Sequence, residues 1–306
     1  MTDTALNPEN TDTAPCEEVT WPLQDIELAG LHWPAKYPTA DACPVLMLHG
    51  WLDNCLTFDR LAPSLAESRN VFGIDMAGHG HSGHRPSGQS YLLMDYVADL
   101  AELIAQHFAE GPEGRVDLVG HSLGGIVCVL YAAAFPEHVR SLVMIDSLGP
   151  ISRPSADTIP QLRKAIKKRL AGSGKPVVYP DTRTAGKARE GGLSPLSTEA
   201  AMTLIPRNMK AVDGGYVWGT DPRLRHPSPI MLEETQVLAS LAKLTTRALF
   251  IRAEHGLLAQ REGWQPRLDA IPHLETITVA GGHHCHLDGD VEPVNHAIRA
   301  FINHDS

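Results

Sequence analysis

The hexapeptide Gly120-His121-Ser122-Leu123-Gly124-Gly125 restricts this chain more than any other stretch. It follows the apolar run Val116-Asp117-Leu118-Val119 without a spacer and leads into residues 124–135, which are apolar nearly all round. A strand that reverses so sharply into a buried helix needs small residues at the crossing, and the glycines around Ser122 supply them. A serine in such a turn is presented at the carboxyl edge of a sheet, and the N–H that follows it faces the reacting oxygen.

The rest of the chain repeats the same rhythm. Short unbroken apolar runs lie at residues 44–48, 71–74, 116–119, 141–145 and 247–252, the strand rhythm returns at 275–279, and helical spacings such as Val97, Leu100, Ala101 and Ile104 within residues 91–107 lie between strands. Apolar strands alternating with helices indicate a parallel sheet covered on both faces, an α/β class with a doubly wound sheet. Before them, residues 25–28 and 31–33 flank Ala29-Gly30 and read as a short hairpin. The rhythm breaks between residues 149 and 243, a proline-rich stretch with helical pieces at 160–170 and 197–204 and no strand run of the earlier kind. The expected organisation is a disordered tail over residues 1–20, a core made of 21–148 and 244–306, and a helical cap over 149–243. A helix over residues 293–302 closes the chain.

Composition excludes several classes. Hydrophobic residues make up 43% of 306 residues, enough for a sizeable core, so whole-chain disorder is excluded. A net charge of −10 disfavours nucleic-acid binding. The longest apolar run, residues 126–135, is well short of the roughly 18 residues needed to span a bilayer. Five widely spaced cysteines without a C-x-x-C pattern suit reduced thiols, and residues 1–18 lack the pattern of a secretory signal, so a cytoplasmic location is expected. Charge is uneven. Residues 150–240 carry 14 Lys and Arg against 8 Asp and Glu, which reads as a solvated face or, more sharply, as a basic rim for anionic substrates.

Ser122 needs chemical partners. His49-Gly50-Trp51 ends the strand at 44–48, where a tight glycine path can offer a second backbone N–H to an oxyanion. The expected donors are the N–H groups of Trp51 and Leu123. A base must take the serine proton, and imidazole has the right acidity. Gly281-Gly282-His283-His284-Cys285-His286 follows the last strand and offers three candidates. The glycine-bounded loop favours His283, with His284 and His286 as rivals. His121, beside the serine, and Trp218, in the insertion, are expected to touch substrate. His79-Gly80-His81 and the 283–286 run also look rich in metal ligands, but no carboxylate sits at ligand spacing beside them. No metal and no cofactor is expected. Asp75 to Ser82 reads as a structural loop.

These motifs resemble the α/β-hydrolases, and more narrowly the serine hydrolase-like proteins. The likeness lies in His49-Gly-Trp-Leu-Asp-Asn-Cys-Leu-Thr-Phe58, Asp75-Met-Ala-Gly-His-Gly-His-Ser82, the run from Gly120 to Gly125, Gly282-His-His-Cys-His-Leu287 and Trp218-Gly-Thr-Asp-Pro-Arg-Leu224, and spans residues 26–302. It implies an eight-stranded, mostly parallel sheet, a helical cap and ester hydrolysis without a cofactor. The chain departs from the common pattern at the triad acid. Where many relatives carry Asp in a G-x-x-D turn, this chain reads Ala253-Glu254-His255-Gly256. Asp146, at the end of the strand 141–145, is the preferred acid, because dehalogenase-like relatives supply it from there. Glu254 is the alternative.

Dehalogenases and epoxide hydrolases of this fold use Asp at the elbow, so Ser122 points to an acyl-enzyme instead. The expected activity is carboxylic-ester hydrolysis of a small-molecule substrate by a monomer or homodimer acting on neither nucleic acid nor membrane. Carbon–carbon bond hydrolysis, lactonase and perhydrolase activity are the enzymatic alternatives. A ligand-binding relative without a working triad is the non-catalytic one.

Overall fold

The computed structural model describes residues 16–39, 42–110, 114–191, 194–259 and 263–303. In chain order the strands are β1 (Glu17–Pro22), β2 (Glu27–Trp33), β3 (Val45–Leu48), β4 (Val71–Asp75), β5 (Val116–His121), β6 (Val139–Ile145), β7 (Met209–Val212), β8 (Gly215–Trp218), β9 (Arg247–His255) and β10 (Leu274–Gly282). The helices are α1 (Ala62–Leu65), α2 (Leu93–His107), α3 (Leu123–Ala134), α4 (Thr158–Ala171), α5 (Thr182–Lys187), α6 (Thr198–Asn208), α7 (Glu234–Leu241), α8 (Gln265–Ala270) and α9 (Glu292–Asn303). Eight strands form one sheet in the order β1-β2-β4-β3-β5-β6-β9-β10. β1 and β2 are antiparallel to their neighbours, and the pairings from β4 through β3, β5, β6 and β9 to β10 are all parallel.

The unbroken apolar strands are buried on both faces. In β3, Leu46 and Leu48 join the core under α2 and α3, while Val45 and Met47 join the core under α1 and α9. β6 divides in the same way, Leu142 and Met144 against Val143 and Ile145. In α9 the residues Val294, Ile298, Phe301 and Ile302 repeat at helical spacing and supply much of the second core.

Two local expectations are corrected. Ala29-Gly30 is not a turn but the middle of β2, and the reversal lies earlier, where Leu23 N–H donates to the Ile26 carbonyl at 2.8 Å. Gly30 serves close packing: a Cβ there would lie 2.2 Å from the Gly73 carbonyl oxygen and 2.9 Å from the Trp21 ring. The tail expected over residues 1–20 falls partly outside the described residues, but Glu17 to Thr20 already belong to β1 and pair with β2.

Residues between β6 and β9 form an insertion of α4, α5, α6 and α7 with the ribbon β7–β8. That ribbon was not expected from the apolar pattern, because its strands are half-exposed and lack an unbroken apolar run. Its two-residue turn, Asp213-Gly214, is a hairpin signal in its own right, and Gly214 takes φ +83°. Arg207 anchors the insertion to the sheet, with Nε and Nη2 donating to Oδ2 of Asp75 at 2.9 and 2.7 Å. Asp75 also accepts from the N–H groups of Cys55 and His81 at 2.8 and 2.9 Å, so its loop is structural. No helix among the described residues is long and apolar enough to cross a membrane.

Candidate active site

Because β3, β5, β6, β9 and β10 run parallel, their carboxyl ends gather five loops at one edge of the sheet. Ser122 leaves β5 at φ 50°, ψ −114°, a conformation that side chains rarely adopt and that costs on the order of 1–3 kcal/mol. The surrounding glycines make it possible. A Cβ on Gly120 would lie 2.5 Å from Gly125 Cα, and one on Gly124 would lie 2.0 Å from the Leu48 carbonyl oxygen. The turn is pinned by Ser122 N–H to the Ile145 carbonyl at 3.2 Å, and by the Ser147 hydroxyl donating to the Ser122 carbonyl at 2.8 Å.

The histidine loop after β10 is bound to this turn from behind. His121 Nε2 lies 3.0 Å from the His283 carbonyl oxygen, so the residue before the serine holds the backbone of His283. His283 Nδ1 lies 2.6 Å from Asp146 Oδ2, with both side chains almost wholly buried. A carboxylate accepts only, so Nδ1 carries the hydrogen and Nε2 keeps its lone pair. Asp146 is itself in a left-handed conformation, φ 42°, with its N–H donating to the Ile251 carbonyl at 2.8 Å. Its Oδ2 also accepts from Leu257 N–H at 2.9 Å.

Gly256 accounts for the departure from the usual acid position. A Cβ there would lie 2.3 Å from Asp146 Oδ2 and 2.5 Å from Cγ. The Asp146 carboxyl thus occupies the space that any side chain at 256 would enter. Glu254 lies exposed on β9, and among the described residues no hydrogen bond or ion pair joins it to His283. The rival histidines are turned elsewhere. His284 Nε2 lies 3.0 Å from Asp53 Oδ2, and His286 Nε2 lies 2.9 Å from the Thr57 hydroxyl.

The loop after β3 is set by His49. Its Nε2 accepts from Met76 N–H at 3.0 Å, which leaves Nδ1–H to donate to the Gly50 carbonyl at 2.7 Å. Burial lowers its pKa, in keeping with this neutral form. Leu52 follows at φ 65°. Among the described residues the N–H groups of Trp51 and Leu123 have no backbone acceptor, and Leu123 opens α3, where the first N–H groups have none within the helix. The insertion holds this loop: Arg189 donates to Asp53 Oδ1 at 2.7 Å, Asn54 Nδ2 to the Leu204 carbonyl at 2.8 Å, and Trp51 Nε1 to the Leu224 carbonyl at 2.9 Å.

One expected substrate contact is corrected. His121 has no exposed surface; its ring is packed among His283, His284 and His286, with centroids 4.2–4.8 Å away. Burial and these neighbouring rings push its pKa well down. Trp218 lies on β8 against Tyr179 and lines a cavity of about 540 Å³ whose wall includes neither Ser122 nor His283. His79 and His81 do not pair up as metal ligands: His79 is buried against His49, its pKa lowered by burial to about 3, while His81 is exposed. Burial pushes the Cys285 thiol up to about 12, leaving it inert.

Comparison with known proteins identifies the family. A family model described as the alpha/beta hydrolase fold matches residues 44–191. A serine hydrolase-like protein of Danio rerio is 31% identical over 301 residues, covering 94% of this chain and 89% of that one. The chain belongs to the α/β-hydrolases, among the serine hydrolase-like proteins. The solved structure of a hypothetical protein from Pseudomonas aeruginosa PAO1 resembles this α/β-hydrolase with TM-score 0.86 at 38% identity, covering 94% of this chain and all of that one. A 2-(acetamidomethylene)succinate hydrolase of Mesorhizobium japonicum is 26% identical over 85% of this α/β-hydrolase and 87% of its own length.

Several residues around the site were not legible in advance. Ser147, Leu257, Asp53 and Arg189 reach it only through tertiary contact. Gly256 could be seen as a missing Asp but not as space kept for Asp146.

Proposed function

We propose that this α/β-hydrolase cleaves carboxylic esters through an acyl-enzyme on Ser122. The observation that carries this reading is the 2.6 Å contact between His283 Nδ1 and Asp146 Oδ2, which leaves Nε2 as a lone-pair base on a loop bound to the serine turn. In the first half-reaction Ser122 Oγ bonds to the carbonyl carbon while His283 Nε2 takes its proton. The N–H groups of Trp51 and Leu123 stabilise the oxyanion, a contribution of roughly 3–4 kcal/mol per donor in comparable sites. The C–O bond to the alcohol then breaks as His283 returns the proton to the leaving oxygen. Water repeats the sequence in reverse: His283 takes its proton, the acid leaves, and Ser122 recovers its hydrogen. Asp146 fixes the imidazole tautomer and offsets the charge on it. Carbon–carbon hydrolysis, lactonase and perhydrolase activity would use the same serine with a different leaving group or acceptor.

The insertion supports a narrower reading, a cap that favours substrates with an anionic group. The cavity beside Trp218 is lined by Lys168, Lys175, Lys210 and Arg225 with no acidic residue in its wall. Such a cluster raises the local concentration of anions.

A fluorophosphonate probe should label the wild type on Ser122, and p-nitrophenyl esters from acetate to dodecanoate should be turned over with a clear length preference. Absence of both label and turnover would assign the chain to ligand binding instead.

A further inference from the structure

Behind the loop that carries Gly50 and Trp51 lies a second group of polar side chains that ester cleavage leaves unused. Asp53 from the loop after β3, His121 from the end of β5 and His284 from the loop after β10 are 1%, 0% and 2% exposed. Oδ2 of Asp53 lies 3.0 Å from His284 Nε2 and 3.8 Å from His121 Nδ1, and the three atoms lie within 4.8 Å of one another.

The tautomer of His121 makes this corner unusual. Its Nε2 faces the His283 carbonyl, which only accepts, so Nε2 holds the hydrogen and Nδ1 holds a lone pair. That buried Nδ1 has no hydrogen-bond partner. It faces a carboxylate oxygen at a distance too long for a hydrogen bond even if it were protonated. Two lone-pair donors turned towards each other in a dry interior repel, and a cation between them removes the conflict. Space is kept as well: a Cβ on Gly50 would lie 2.8 Å from His121 Nδ1 and 3.0 Å from Asp53 Oδ2.

We propose that Asp53 Oδ2, His121 Nδ1 and His284 Nε2 form a binding site for a divalent transition metal of the zinc and cobalt class. Two imidazoles and one carboxylate suit these ions and not Mg²⁺ or Ca²⁺. Bonds of about 2.0–2.1 Å in a tetrahedral site set the ligand atoms roughly 3.3 Å apart, between the 3.0 and 3.8 Å separations from Asp53 Oδ2, and the two imidazole nitrogens, within 4.8 Å of each other, would draw together on binding. His284 stays neutral on binding by carrying its hydrogen on Nδ1, which has no partner in the fold. The outer contacts already orient the ligands, as they do in metal sites generally. His121 is held by the His283 carbonyl, and Asp53 Oδ1 accepts from Arg189 at 2.7 Å. No local spacing joins these ligands, because the carboxylate is more than 60 residues from either histidine and only the fold brings it beside the 283–286 run.

The test is a titration of the full chain, stripped with EDTA, with Co²⁺, read by visible ligand-field absorption and by calorimetry. The expected result is one Co²⁺ per chain, displaced by Zn²⁺ and unaffected by excess Mg²⁺. His284→Gln and His121→Gln should each weaken binding by at least about 100-fold, more than loss of an outer-sphere partner does. Asp53→Asn is the third variant, and circular dichroism establishes which of the three fold. His283→Ala should keep the affinity, which separates this site from metal caught at the triad. Failure of the wild type to bind Co²⁺, equal affinity in every folded ligand variant, or loss of binding in His283→Ala would each overturn the proposal. Binding is read without ester turnover, so the outcome is independent of the hydrolase reading.

Discussion

Asp146→Asn probes the part of the site where this chain departs from the common pattern. Oδ2 of Asp146 accepts from two donors, His283 Nδ1–H at 2.6 Å and Leu257 N–H at 2.9 Å. An asparagine has one accepting oxygen and one amide nitrogen that only donates. If the oxygen stays on Leu257, the NH₂ group confronts His283 and forces its hydrogen onto Nε2, the nitrogen that must receive the serine proton. Loss of the correct tautomer costs on the order of 10⁴-fold in kcat in comparable triads, or about 5.4 kcal/mol of barrier. Gly256→Ala should act in the same direction, because the added methyl would lie 2.3 Å from Oδ2 and displace the carboxyl. Glu254→Gln should stay within about tenfold of wild type, since Glu254 is exposed. The assay is kcat on one small p-nitrophenyl ester, with folding checked by circular dichroism. Asp146→Asn within tenfold of wild type, beside an inactive Glu254→Gln, would refute the reasoning and move the acid to β9.

Other expectations follow from the same contacts. Arg207→Leu leaves the buried Asp75 carboxylate without its guanidinium and should destabilise the fold by about 3–5 kcal/mol, seen as a lower Tm, whereas an unchanged Tm would show that the insertion is not anchored there. His79 is held neutral, its pKa lowered from 6.5 to about 3, so the unfolded chain binds a proton that the folded one does not. Its contribution is complete above pH 6.5 and is lost as pH falls towards 3, at about 1.4 kcal/mol per pH unit. Tm should therefore decline from near pH 6.5, less steeply in a folded His79→Gln, and identical slopes would exclude His79 as the cause. Trp218→Ala should alter KM for anionic esters more than for neutral ones of equal length, and a common factor for both would remove Trp218 from specificity.

The central sheet was legible because burial on both faces demands unbroken apolar strands, and β3, β4, β5, β6 and β9 lie where those runs do, while the edge strand β10 is largely exposed and shows only a strand-like alternation. Gly30 misled because a glycine between apolar runs signals either a turn or a close approach, and only the position of Trp21 and β4 distinguishes the two. The β7–β8 ribbon escaped because half-exposed strands carry no such run, although Asp213-Gly214 marked its turn. At the site, local chain geometry exposed Ser122 and favoured His283, since elbow and loop are set by neighbouring glycines. The contacts of Asp146 with His283 and Leu257, and of Asp53 with Arg189, join residues more than 100 positions apart, which no local pattern encodes.

The central claim is that Ser122 is acylated during turnover. Rapid quenching of the enzyme with a slowly deacylating p-nitrophenyl ester, followed by intact-mass and peptide mass spectrometry, tests it directly. One acyl group per chain on the peptide carrying Ser122, formed with a matching burst of p-nitrophenol and absent from Ser122→Ala, is the predicted result. Steady turnover by Ser122→Ala, or an acyl group on another residue with Ser122 unmodified, would contradict it.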